Sequence, residues 1–162
     1  MVDRQIATFY RERYADLVVF LMWHGASAAD AADGAQEAMA QVCAHWETVR
    51  HPYAWCRRVA SRDWTRRAAE RARLAGDAVG TAAEPATGGG LDEFEQRHLL
   101  LVMMRRHLTP AQQQVMAWTY DDVPPAAIAE ALDLIPETVR SRLRDARTVL
   151  RAVWDHDEEG HR

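Results

Sequence analysis

Lysine is absent from this chain: all 20 basic side chains other than histidine are arginine. Alongside the many alanines, that absence marks a GC-rich coding sequence and carries no chemistry of its own. Long apolar runs are missing too. The longest, 17–23 and 99–104, fall far short of the roughly 20 residues that a bilayer-spanning helix needs. The N-terminus lacks a charged-then-apolar stretch with a cleavage site, so neither a leader nor membrane insertion is expected and the location reads as cytoplasmic. Only two cysteines occur, Cys43 and Cys56. Neither has Cys-x-x-Cys or His-ligand spacing, so reduced, buried thiols are expected and no metal. A Gly-rich phosphate loop and a nucleophile elbow are also lacking, and neither Ser27 nor Ser141 has a base nearby in sequence. No catalytic residues and no cofactor are therefore predicted, and the chain does not read as an enzyme.

No series of alternating apolar and polar residues resembles strands, while 48% of the residues are hydrophobic. An all-α fold with a buried core is expected. At 162 residues there is room for one ordinary domain or two small ones. Apolar residues recur at helical spacing from Ile6 through Phe9, Tyr14 and Leu17 to Leu21, predicting a first helix that ends near Gly25. Ser27, three residues before Asp30, is a plausible cap for a second helix with Ala31, Ala35, Ala38, Val42 and Trp46 on one stripe. Pro52 opens a third helix, carrying Tyr53, Trp55, Val59 and Trp64, that runs to residue 73. Periodicity is then lost from 74 to 91 among Ala, Gly, Thr and Pro, which predicts a flexible linker between two small helical domains, 1–73 and 92–154.

Helical spacing resumes from 91 to 107, and Thr109, Pro110 and Gln112 supply an N-cap, a first-turn proline and a capping-box partner for the next helix. Pro124-Pro125 stops the chain and restarts it as a short helix, 126–132. Asp133-Leu134-Ile135 makes a turn, and Pro136 begins a last helix with Val139, Leu143, Ala146, Leu150 and Val153 on a narrow stripe. An acidic tail, 155–162, is expected to be disordered and solvated.

The formal charge of −4 hides a sharp segregation. No arginine occurs between Arg13 and Arg50, whereas seven lie between 57 and 73 against Asp63 and Glu70. Asp30, Asp33, Gln36 and Glu37 point broadly outward from the second helix with no basic neighbour at i, i+4. They form either a docking face for a basic partner or a solvated face. The third helix has the composition of a single-strand binder, in which bases stack on rings and arginines follow the backbone. Tryptophans at this spacing also suit a core, so Trp55 and Trp64 are not both expected to be exposed. The short helix, turn and longer helix with Arg140, Arg144, Arg147 and Arg151 along one face make a helix-turn-helix pattern. Glu137, Thr138, Arg140, Ser141 and Arg144 are candidates for base edges, and Arg142, Arg147 and Arg151 for phosphates. A solvated amphipathic helix is the alternative.

Together the pieces Asp30-Ala-Ala-Asp33-Gly-Ala-Gln36-Glu37, Pro52-Tyr-Ala-Trp55-Cys-Arg57-Arg58-Val-Ala60, Leu108-Thr-Pro-Ala-Gln112, Ile128-Ala-Glu-Ala-Leu132 and Pro136-Glu-Thr-Val-Arg140-Ser-Arg142-Leu143 resemble a bacterial sigma factor of the extracytoplasmic-function (ECF) type, the minimal branch of the sigma-70 family. The resemblance runs from Phe9 to Trp154. It implies a σ2-like bundle and a σ4-like helix-turn-helix domain. Asp30, Asp33, Gln36 and Glu37 would dock on the β′ clamp helices of core RNA polymerase, with the β flap a further contact. Arg50, His51, Trp55, Arg58, Arg62 and Arg66 would meet the melted −10 element of promoter DNA. Thr138, Arg140, Ser141, Arg142, Arg144 and Arg147 would meet the −35 duplex. An anti-sigma protein is an expected partner. Gly34, the arginines at 62 and 66, Pro124-Pro125, Asp133 and Asp145 depart from the family pattern and imply an atypical promoter. The rival readings are a helix-turn-helix transcription regulator that acts without polymerase and an inactive sigma paralogue.

Overall fold

In a computed structural model the protein is all-α; residues 2–76 and 93–160 are described. Seven helices follow one another among these residues: α1 (Val2–Trp23), α2 (Ala28–Ala44), α3 (Pro52–Ala75), α4 (Glu93–His107), α5 (Pro110–Tyr120), α6 (Pro125–Leu132) and α7 (Pro136–Gly160).

Their ends have local causes. Ser27 Oγ accepts the Asp30 amide at 3.1 Å and donates to the Asp30 carboxylate at 3.0 Å. The Asp side chain thus closes the first turn of α2 through the cap hydroxyl, where a longer Glu would bond the cap amide. Thr109 and Gln112 form a full capping box: the Gln112 amide donates to Thr109 Oγ1 at 3.3 Å and the Thr109 amide to Gln112 Oε1 at 3.0 Å. Prolines occupy the first turns of α3, α5 and α6 and open α7, where a missing N–H costs nothing.

Two ends differ from the sequence reading. Helix α3 continues two residues past 73, to Ala75, and residues 77–91 of the expected linker lie outside the described ones. Helix α7 does not give way to a disordered tail at 155 but runs to Gly160. Neither glycine nor proline interrupts 137–159, so the backbone stays helical although acidic residues at a C-terminal end oppose the macrodipole.

The larger buried cluster draws on residues from both sides of 77–92. Leu17, Phe20 and Leu21 of α1, the alanine stripe and Val42 of α2, and Cys56 and Ala60 of α3 meet Val115 and Trp118 of α5, Ile128 and Leu132 of α6, and Val139 and Leu143 of α7. A smaller cluster joins Trp23 to Leu101, Met104, Leu108, Ala117 and Ala146, with Trp23 stacked on Tyr120 at 4.0 Å. Gly34 lets α2 approach α1: a Cβ there would meet Leu21 Cδ1 at 3.0 Å. Gly25 is more constrained. Its φ of +92° disfavours any side chain, and a Cβ would fall 2.0 Å from Gln113 Oε1 of α5.

A buried polar network crosses between the halves. The His24 Nδ1–H donates to the Phe20 carbonyl at 2.8 Å, which leaves Nε2 to accept the Ser61 hydroxyl at 2.8 Å. Ser61 Oγ in turn accepts Trp118 Nε1–H at 2.9 Å and Gln114 Nε2–H at 3.2 Å. Each of these four side chains is buried and has a partner, as polar groups out of water require.

Candidate nucleic-acid interface

The acid face of α2 follows from its alanine stripe. With Ala31, Ala35 and Ala38 buried, the helical period turns Asp33, Gln36 and Glu37 to solvent. Asp33 and Glu37 make no ion pair among the described residues; Glu37 only accepts a hydrogen bond from Gln41 at 2.8 Å. Asp30 stands apart from them. It is half-buried, holds the Ser27 cap and lies 3.5 Å from Arg71 of α3, a basic partner that i, i+4 spacing within α2 could not reveal.

The seven arginines of α3 do not form an open basic face, because each has a carboxylate partner. Arg66 and Arg67 pair with Asp63 at 2.5 and 2.8 Å, Arg73 with Glu70 at 2.7 Å, and Arg71 with Asp30 while lying over the Trp64 ring at 5.3 Å. Arg58 and Arg62 both reach Asp133, in the turn between α6 and α7, at 3.4 and 2.5 Å. Arg57 points the other way, into the protein. Its guanidinium lies 4.7 Å from the Phe20 ring and 4.6 Å from the Trp118 ring, and its Nη2 is 2.9 Å from Asp121. That ion pair is off the line of a hydrogen bond, and Nε has no acceptor, so charge and the rings hold the group. Arg57 is thus a structural residue that its sequence neighbours did not distinguish.

Trp55 and Trp64 are both half-buried, and the fully buried side of α3 is Cys56, Ala60 and Ser61. The Trp64 indole N–H donates to the His24 carbonyl at 2.8 Å. Cys43 and Cys56 are free thiols; burial pushes Cys56 up to about 12, and Tyr53 is likewise raised to about 12 by burial.

Arg50 and His51 are exposed in the loop before α3. Together with Arg4, Phe9, Arg13 and Trp46 they line an open groove along the first half of α1. Phe9 and Trp46 sit 5.3 Å apart there, and Arg13 lies 5.1 Å from the Tyr53 ring. The α1 residues of this groove were not among the sequence candidates. Only the fold brings the start of α1 beside the α2–α3 loop.

In the helix-turn-helix, Val139, Leu143 and Ala146 are buried, so Arg140, Arg144 and Arg147 are exposed while Thr138, Ser141 and Arg142 are half-buried at the flank. Glu137 holds Arg140 at 3.1 Å, and Arg144 donates to Ser141 Oγ at 3.4 Å. Asp133 occupies the turn position in the left-handed conformation, φ 52° and ψ 45°, with its amide donating back to the last turn of α6. The turn between α6 and α7 is thus made without a glycine.

No described group of three or more His, Cys, Asp or Glu could hold a metal ion. No described helix is long and apolar enough to cross a membrane. No protein-family model matches the sequence, and no curated protein matches it either.

Proposed function

We propose that this protein is an ECF-type sigma factor, a promoter-specificity subunit of bacterial RNA polymerase that acts in the cytoplasm. The observation that carries the reading is the exposure of two opposite faces on one chain, the acid face at Asp33, Gln36 and Glu37 and the arginine face of α7 behind a helix-turn-helix. In this reading the acid face docks on the β′ clamp helices, the second half meets the β flap, and an anti-sigma protein controls access to both. The loop with Arg50 and His51, together with Trp55, Arg58, Arg62 and Arg66, takes the melted −10 strand by stacking and phosphate contacts. Helix α7 reads the −35 duplex. The protein performs no chemistry itself and lends polymerase its choice of promoter.

Binding of the purified chain to bacterial core polymerase without DNA is the direct test. Glu37→Arg should weaken that binding roughly tenfold or more, since the reversed charge meets the same basic surface. Its circular dichroism should be unchanged, because Glu37 is exposed. Equal affinity of both proteins removes the docking face. No binding by the folded wild type favours a helix-turn-helix regulator that works alone.

A second expectation concerns α7. Arg140→Ala should cost roughly 1–3 kcal/mol of affinity for a preferred duplex and flatten the preference at one base position. Competition between duplexes that differ at single positions measures it. An equal loss on every duplex makes Arg140 a phosphate contact.

A further inference from the structure

In the turn of the helix-turn-helix, Asp133 holds a left-handed backbone that glycine would hold without strain. Its carboxylate projects onto α3, where Arg58 and Arg62, one helical turn apart, converge on a single oxygen, Oδ2. Two guanidinium groups focused on one oxyanion form a seat for a carboxylate or a phosphate alike. Other acids of the second half approach the same helix. Asp121 pairs with Arg57, and Glu130 lines the cleft that also contains Arg50, His51, Trp55 and Arg58. Asp133 and Glu130 therefore lie beside arginines and a ring that the proposed function gives to a DNA strand.

We infer that the turn of the helix-turn-helix is an internal competitor for nucleic acid, its Asp133 carboxylate occupying the phosphate seat formed by Arg58 and Arg62. The inference rests on the reading of α3 as a strand-binding surface and adds its regulation. In the free chain Asp133 engages the Arg58 and Arg62 part of that surface, and a strand gains it by displacing Asp133. The two arginines keep much of their side-chain surface in solvent, 44% and 36%, so the seat is partly covered and open to exchange. The arrangement suits a surface that should not collect stray single strands before the second half is drawn away.

The test uses the full chain and a fluorescent single-stranded oligonucleotide of mixed sequence at fixed, moderate salt. Asp133→Asn removes the charge and tolerates the left-handed backbone; Asp133→Gly removes it and relieves the strain. Both should bind the strand about fivefold more tightly than the wild type, the change expected when two weak, exposed ion pairs no longer compete. The double variant Arg58→Ala/Arg62→Ala should bind about tenfold more weakly, and adding Asp133→Asn to it should restore nothing. Wild-type affinity in both Asp133 variants, with the arginine variant still weakened, overturns the competitor and leaves α3 as a strand binder. An equal gain from Asp133→Asn in the arginine-free background is a bulk charge effect and also overturns it. No loss in the arginine variant removes the strand-binding reading itself, and the inference with it.

Discussion

Replacing Trp118 by alanine should lower the free energy of unfolding by about 3–5 kcal/mol, the usual cost of truncating a large buried aromatic. Trp118 is 5% exposed and belongs to α5, yet much of what it touches precedes residue 77. Phe20 meets it edge-on at 5.3 Å, Arg57 covers its face at 4.6 Å, and Ser61 accepts its indole N–H at 2.9 Å. Truncation therefore opens a cavity between the halves and removes a donor from the buried hydroxyl. Trp118→Phe separates the two effects. It keeps a ring against Phe20, and because Gln114 still donates to Ser61, the loss should be about 1 kcal/mol. Urea titration followed by far-ultraviolet circular dichroism gives both values. The wild type should unfold in one transition, with amides of α1 and of α7 losing exchange protection together. Two separate transitions, or a loss below about 1 kcal/mol for the alanine variant, would mean that the halves are stable apart and merely touch.

A shared core bears on the proposed function. If the acid face and the recognition helix must reach separate places on polymerase and promoter, the contacts between the halves have to part first. The apparent affinity for polymerase is then reduced by the fraction of chains already open. The polar part of the contact suits such a role. Its centre is Ser61 with three side-chain partners, and its exposed rim is the Arg58/Arg62–Asp133 pairs. Exposed ion pairs add little stability and exchange readily with water, so the rim can open more cheaply than an apolar seam of the same size.

Helix boundaries were legible because the chain marks them with residues whose chemistry is local. Ser27, Pro52, Thr109 with Gln112, and Pro136 each act within one turn of themselves. Helix α3 was harder. Its apolar residues suggested a stripe through Trp55 and Trp64, whereas its buried side is Cys56, Ala60 and Ser61. A serine at a core position breaks the hydrophobic period, and the donors and acceptor that satisfy it lie 37, 53 and 57 residues away. The arginine run misled in a similar way. Read along the sequence it is a basic block opposed by two acids, but Asp30, Asp121 and Asp133 arrive from elsewhere in the fold to pair with four of its members. Exposure of Asp33, Gln36 and Glu37 follows from the alanine period alone, whereas Asp30, expected on the same face, is half-buried and paired with Arg71.

Acid should loosen the contact between the halves through one residue. His24 is fully buried, and its pKa is lowered from 6.5 to about 4, chiefly because burial penalises the charged ring, with Arg57 adding repulsion against the favourable bond to the Phe20 carbonyl. The geometry agrees with a neutral ring. Protonation would place a second N–H on Nε2, facing a Ser61 oxygen that already takes donors from Trp118 and Gln114. The folded pKa lies below the unfolded one, so below pH 6.5 the unfolded chain binds a proton that the native chain refuses. The stability supplied by a neutral His24 is complete above about pH 6.5, declines as the pH falls toward 4, and is lost below that. From 6.5 to about 4 is roughly 2.5 pH units, and at about 1.4 kcal/mol each the loss is about 3 kcal/mol. Urea midpoints measured from pH 7 to pH 4 for the wild type and His24→Gln isolate this contribution, since the paired carboxylates titrate in both. The wild type should lose about 3 kcal/mol more than the variant over that range. Parallel curves, or a native His24 ring that titrates near 6.5 by NMR, would place the imidazole in contact with water and dissolve the network that joins α1, α3 and α5.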